Sequence, residues 1–227
     1  MITQPRIAVA LDTSDAGQLA RWAEMFAGEV DVLKIGLEAM IGLGPRAITI
    51  AVAHAPVFCD LKLHDIPNTV AGAAAAAADY GASMITVHAS GGPAMIAAAA
   101  EAAPDVAILA VTVLTSLDDA TLAELGMSGA ATAVPLLAKR AETAGASGIV
   151  CAGDQIAAVR EVVGSAMSVV VPGIRPATAA TQDQARVVTP EHAVRAGADL
   201  LVIGRPVTAA DDPLAALHDI RQVMGLA

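Results

Sequence analysis

The chain has 227 residues, 56% of them hydrophobic and only 2% aromatic, with a formal net charge of −10. That length supports one sizeable core built from Ala, Val, Leu and Ile rather than from rings. The acidic balance argues against nucleic acid or an anionic membrane surface as the main partner, and an anionic small substrate needs a local positive pocket.

The apolar clusters recur along the chain as short buried strands separated by helical stretches. Arg6 to Leu11 reads as a first strand ending at Asp12, and Ser14 or Asp15 can cap the helix that runs to about Phe26. Val30 to Ile35 is a second strand, with Lys34 near its end, and Gly44-Pro45 opens a helix to about His54. Pro56 to Leu61 is the third, running into Asp60, Lys62 and Asp65. Pro67 then suits the first position of an Ala-rich helix that lasts to Tyr80-Gly81. Ser83 to Val87 is the fourth strand and Val106 to Leu114 the fifth, ending in Thr115-Ser116. A longer connection holds Asp118 to Gly126 and a helix from about Val134 to Ala144. Gly148 to Cys151 is the sixth strand, followed by a helix from Asp154 to Val163. Ser168 to Val171 is the seventh, then a polar loop through Gln184 and a helix from Pro190 to Ala196. Asp199 to Ile203 is the eighth, and a last helix spans about Pro213 to Met224.

Eight strands alternating with helices predict a parallel α/β architecture with right-handed crossovers, a single (β/α)8 TIM barrel over residues 1–227. A doubly wound open sheet is the alternative, but no G-x-G-x-x-G follows the first strand. The start of the chain lacks a signal-peptide pattern, and the longest uncharged stretch, Tyr80 to Ala100, is broken by Gly, Ser, His and Pro. A soluble, cytoplasmic protein is expected. Cys59 and Cys151 lie far apart in apolar runs and read as core residues.

In a barrel of this kind the active site lies at the C-terminal ends of the strands. Those ends carry Asp12, Lys34, Asp60, Lys62, His88, Thr115, Arg175 and Arg205. Residues two apart share a face of a strand, so Asp60 and Lys62 point the same way. The chain has only three lysines, Lys34, Lys62 and Lys139, and two of them fall at strand ends. A compact ammonium that can give up a proton is not replaceable by guanidinium, so these two are candidates for chemistry rather than for solvation. Pro172-Gly173-Ile174-Arg175 after strand seven and Ile203-Gly204-Arg205-Pro206 after strand eight combine open backbone N–H groups with arginine. That is where phosphate sites lie in this fold, and the pair predicts a phosphorylated substrate. His64 reads as structural and His88 as a packed barrel residue. No His, Asp or Glu set has metal-ligand spacing.

Over nearly its full length the chain resembles the orotidine 5′-phosphate decarboxylase family. The resemblance rests on Ala10-Leu11-Asp12, Lys34-Ile35-Gly36, Asp60-Leu61-Lys62-Leu63-His64-Asp65-Ile66-Pro67-Asn68-Thr69, Leu114-Thr115-Ser116, Pro172 to Pro176, Asp183-Gln184 and Val202 to Pro206. It implies decarboxylation of orotidine 5′-monophosphate to uridine 5′-monophosphate without a metal or organic cofactor. It implies that Lys62 protonates C6, that Asp60 lies beside the substrate carboxylate, and that Lys34 and Asp65 complete an alternating charge array. Asp12 would hold the ribose with Lys34, Thr115 would meet the pyrimidine edge, and Pro172 would line the site. Arg175, Gln184, Gly204 and Arg205 would grip the phosphate. The resemblance further implies a homodimer in which Asp65, Ile66 and Thr69 act in the partner's site. A sister activity on 3-keto-gulonate 6-phosphate, which uses magnesium and carries Glu where Lys34 stands, and a catalytically silent nucleotide-binding barrel are the competing readings.

Overall fold

Strand register decides this architecture. A computed structural model describes residues 5–176 and 188–226. Its strands are β1 (Arg6–Ala10), β2 (Val32–Ile35), β3 (Val57–Leu63), β4 (Ala82–His88), β5 (Ala107–Val111), β6 (Gly148–Val150), β7 (Ser168–Val171) and β8 (Leu200–Ile203). Each pairs in parallel with the next, and β1 pairs with β8 through Arg6–Leu200 to Val9–Ile203, which closes the barrel. Closure excludes the doubly wound open sheet.

The alternation of side chains separates two apolar layers. Ala8, Ala10, Val32, Phe58, Leu109, Val111, Val150, Val170, Leu200 and Val202 fill the barrel. Their odd-numbered neighbours on β1, Ile7 and Val9, face outward with Cys59 and Ile85 into the layer beneath the helices. Phe58, 1% exposed, is the one aromatic side chain of this inner layer among the described residues and sits directly below Asp60 on the same face of β3.

The helices are α1 (Ala16–Met25), α2 (Leu37–Leu43), α3 (Arg46–Val52), α4 (Pro67–Asp79), α5 (Pro93–Ala102), α6 (Asp119–Glu124), α7 (Ala130–Thr143), α8 (Ile156–Val163), α9 (Pro190–Ala196), α10 (Arg205–Thr208) and α11 (Pro213–Val223). Local chemistry explains their starts. Asp15 caps α1 by accepting from Gly17 N at 2.7 Å and Gln18 N at 3.2 Å. Pro67 opens α4, Thr189 caps α9, and Asp212 caps α11.

Several elements differ from expectation. β5 ends at Val111 rather than Leu114: Thr112 still donates its N–H and its hydroxyl to Val150 O, after which the chain leaves the ladder. β3 runs on to Leu63, beyond Leu61, because it bulges against β4 between Cys59 and Leu63. α2 and α10 fill stretches read as connections, each too short for a full amphipathic period to be visible. Among the described residues no helix is long and apolar enough to cross a membrane.

Candidate active site

The strand ends enclose a cavity of about 610 Å³. Its walls include Asp12 after β1, Lys34 on β2, Asp60 and Lys62 on β3, Thr115 after β5, Pro172, Gly173 and Arg175 after β7, and Gly204 and Arg205 after β8. Chain positions spread from 12 to 205 converge because every parallel strand ends on the same face of the barrel.

Charge is concentrated on one wall. Lys34, only 7% exposed, extends from β2 and donates to Asp60 Oδ2 at 3.2 Å. It also lies 3.5 Å from Asp12 Oδ1. Lys62 donates to Asp60 Oδ1 at 2.9 Å. Asp60 therefore sits between two ammonium groups. Burial pushes its carboxyl upward, but the charges of Lys34 and Lys62, with hydrogen bonds from Lys62 and Thr86, outweigh that and hold it below the usual carboxylate range. The carboxylate is ionised, and each ammonium has an anion at hydrogen-bond distance.

The backbone at this point is unusual. Lys62 has φ of 49°, the one non-glycine positive φ among the described residues. That conformation brings Cβ close to the carbonyl and costs roughly 1–2 kcal/mol, so neighbouring contacts must hold it. Thr86, fully buried on β4, supplies one: its hydroxyl accepts from Lys62 N at 2.9 Å and donates to Asp60 Oδ1 at 3.0 Å.

On the opposite wall Arg175 is 7% exposed and its Nη1 donates to Ile174 O at 2.8 Å. The β7 end is tied down by Arg175 N donating to Val188 O and Val188 N donating to Gly173 O. Gly173 makes the turn with φ of 76°. Arg205 opens α10 immediately after Gly204.

Of the residues singled out from sequence, Asp12, Lys34, Asp60, Lys62, Thr115, Pro172, Arg175, Gly204 and Arg205 line this cavity. Asp65 and Ile66 do not. They line a separate shallow depression with His64, Pro67, Ser90 and Gly91, and Thr69 is exposed on the same first turn of α4. Gln184 lies outside the described residues. His88 ends β4 half-buried, its ring centroid 5.3 Å from that of His64; burial, then the charges of His64 and Lys62, lower its pKa. Cys151 also lines the cavity, but burial and the Asp154 charge push its thiol up to about 12, so it is no nucleophile at neutral pH.

Sequence reasoning missed Glu38 and Thr86. Glu38 lines the cavity from α2, an element too short to predict. Thr86 carried a faint signal, since residues 84, 86 and 88 of β4 alternate inward, but nothing in the sequence said which β3 residue it would meet.

The sequence model of the "Orotidine 5'-phosphate decarboxylase / HUMPS family" matches residues 5–220. The chain is 53% identical over 218 residues to the orotidine 5′-phosphate decarboxylase of Anaeromyxobacter sp. strain K, covering 95% of this chain and 96% of that one. It is 54% identical over 214 residues to the enzyme of Thermobifida fusca strain YX, covering 92% and 91%. Among solved structures it is similar to orotidine 5′-phosphate decarboxylase from Lactobacillus acidophilus, with a TM-score of 0.85, 34% identity, and 98% and 99% of the two chains covered.

Proposed function

The chain belongs to the orotidine 5′-phosphate decarboxylase family, and on that premise we propose that it converts orotidine 5′-monophosphate to uridine 5′-monophosphate and CO2, the last step of de novo pyrimidine synthesis. The observation that carries this reading is the row Lys34–Asp60–Lys62 on one wall of a cavity whose other wall holds Arg175, Gly204 and Arg205.

The reaction breaks the bond between C6 and its carboxylate. CO2 leaves, the electron pair stays on C6, and a proton must arrive there. Lys62 is the donor in this reading: its ammonium is fixed beside Asp60, half-exposed toward the cavity, and stabilises the charge that develops at C6 before protonating it. Solvent then restores the ammonium. Asp60 takes the position beside the substrate carboxylate and holds both lysines in place. Lys34 and Asp12, 3.5 Å apart, suit the ribose hydroxyls. Thr115 and Pro172 line the space for the base, while Arg175, Gly204 and Arg205 hold the phosphate. Phosphate contacts remote from C6 add binding energy that can organise the reacting end of the site rather than only tighten substrate binding.

Asp65, Ile66 and Thr69 belong to a partner's site in this reading, and the protein acts as a homodimer. What supports it is their exposure at the start of α4, Asp65 and Ile66 just before it and Thr69 in its first turn, with Ile66 66% exposed, away from the cavity of their own chain. Cytoplasmic residence fits two buried free cysteines. The sister activity on a sugar phosphate is disfavoured by Lys34, whose place it fills with Glu, and by relatives above 50% identity that bear the orotidine name.

One spectrophotometric assay with orotidine 5′-monophosphate, run with and without a chelator, tests the proposal. Turnover unaffected by the chelator is expected. No turnover, or turnover that needs added magnesium, overturns it.

A further inference from the structure

We infer that Thr86 is a positioning residue for decarboxylation: its hydroxyl locks Asp60 and the left-handed Lys62 into one rigid unit. The inference rests on the functional reading above. It starts from a closed circuit of hydrogen bonds. Lys62 N donates to Thr86 Oγ1 at 2.9 Å, Thr86 Oγ1 donates to Asp60 Oδ1 at 3.0 Å, and Lys62 Nζ donates to the same Oδ1 at 2.9 Å. Backbone and side chain of one lysine thus meet at one carboxylate oxygen, the backbone through the Thr86 hydroxyl and the side chain directly. The hydroxyl has one proton to give and gives it to Asp60, which leaves its lone pairs for the Lys62 N–H.

The geometry makes Thr86 more than packing. Its side chain is fully buried and does not line the cavity, so it acts on substrate only through its two partners. Lys62 lies in the β3 bulge, where the pairing with β4 skips from Cys59–Ile85 to Leu63–Val87. Within that gap the Lys62 N–H is satisfied by a side chain, and the contact favours the positive φ that a lysine does not adopt freely. The bulge re-aims Lys62, and Thr86 decides where it stops. A misplacement of about 1 Å in a reacting group can cost on the order of 100-fold in rate.

Thr86→Val keeps shape and strand propensity but removes both hydrogen bonds. Thr86→Ser keeps the hydroxyl and gives up a methyl group. For Thr86→Val, kcat for orotidine 5′-monophosphate falls roughly tenfold or more while KM changes less than about threefold, because the phosphate contacts are untouched. Thr86→Ser returns kcat to within about threefold of wild type. A purely structural threonine would lower the melting temperature of both variants and leave kcat of the folded fraction alone. A Thr86→Val kcat within about twofold of wild type, or a Ser variant as slow as the Val variant, overturns the inference. An NMR titration of Asp60 separates this from failure of the functional reading, since it needs no substrate. The Asp60 carboxyl titrates at higher pH in Thr86→Val than in wild type or Thr86→Ser; an unchanged titration sinks the positioning role whether or not the enzyme turns over orotidine 5′-monophosphate.

Discussion

Lys34 Nζ and Asp60 Oδ2 meet at 3.2 Å although 26 residues separate them in the chain. The contact exists because β2 and β3 pair with Lys34 opposite Phe58, which sets Asp60 one inward-facing position higher, within reach of the lysine's long side chain. With Lys62 on its other oxygen, Asp60 becomes the anion shared by two cations. The pairing is largely shielded from water, so it is far less screened than a surface salt bridge.

Removing Asp60's charge therefore takes the shared anion from both lysines and leaves Lys34 only the longer contact with Asp12. Asp60→Asn is expected to lose roughly 2–3 kcal/mol of stability at neutral pH, since breaking a largely buried pair strands its partners. The sign with pH follows from a folded pKa below the unfolded one. The stabilisation is present above the unfolded value and is lost as pH falls through the folded value. Urea melts at descending pH should show the gap between wild type and Asp60→Asn narrow below about pH 4.

If Lys62 is the proton donor, Lys62→Ala should lose decarboxylation by at least about 10³-fold, since it then removes both that donor and the charge beside C6. Lys62→Gly should be equally inactive yet about 1 kcal/mol more stable than Lys62→Ala, because glycine adopts a φ of 49° without the Cβ clash. Thermal melts of the two variants compare this directly.

If Asp65 serves the partner's site, inactive Lys62→Ala and Asp65→Ala subunits should complement each other. Random re-pairing of equal amounts gives half heterodimers, each with one intact site, and so about a quarter of wild-type activity. A mixture that stays as inactive as its components would rule out the shared site.

Gly36 stands against the Asp12–Lys34 end of the charge row. An added Cβ would lie 2.8 Å from Asp12 Oδ1, closer than real contacts allow, and 3.0 Å from Lys34 Nζ, a tight contact. Gly36→Ala should displace both side chains and raise KM by roughly tenfold, with a melting temperature close to wild type, because the atoms that must move are the ends of side chains. Steady-state kinetics beside a thermal melt checks both halves.

At the other end of the barrel Arg160 joins α8 to the entries of β7 and β8. It donates Nε to Gly197 O, Nη1 to Gly164 O and Met167 O, and pairs through Nη2 with Asp199, whose Oδ2 also accepts from Val169 N. Arg160→Ala is expected to cost roughly 2–4 kcal/mol in urea denaturation, since it takes a donor from several carbonyls and the cation from Asp199. The kcat of the folded variant should equal that of wild type, because this end of the fold carries stability rather than chemistry.

Much of the site was legible in the sequence. The two-residue alternation alone put Asp60 and Lys62 on one face, and the rarity of lysine picked out Lys34. Periodic apolar runs located all eight strands, and the Gly-Arg pairs after β7 and β8 lie on the cavity wall as expected. These features are local, encoded within a few residues of one another or repeated with a fixed period, so reading along the chain recovers them. What the sequence did not determine lies between strands. The bulge that turns Lys62 left-handed, the early exit of β5, the position of Glu38 and the meeting of Thr86 with Asp60 all depend on register, which is set by the closure of the whole barrel. A threonine in an apolar strand is locally indistinguishable from any other β-branched residue; only the packing of β4 against a bulged β3 gives its hydroxyl a carboxylate and an amide to join.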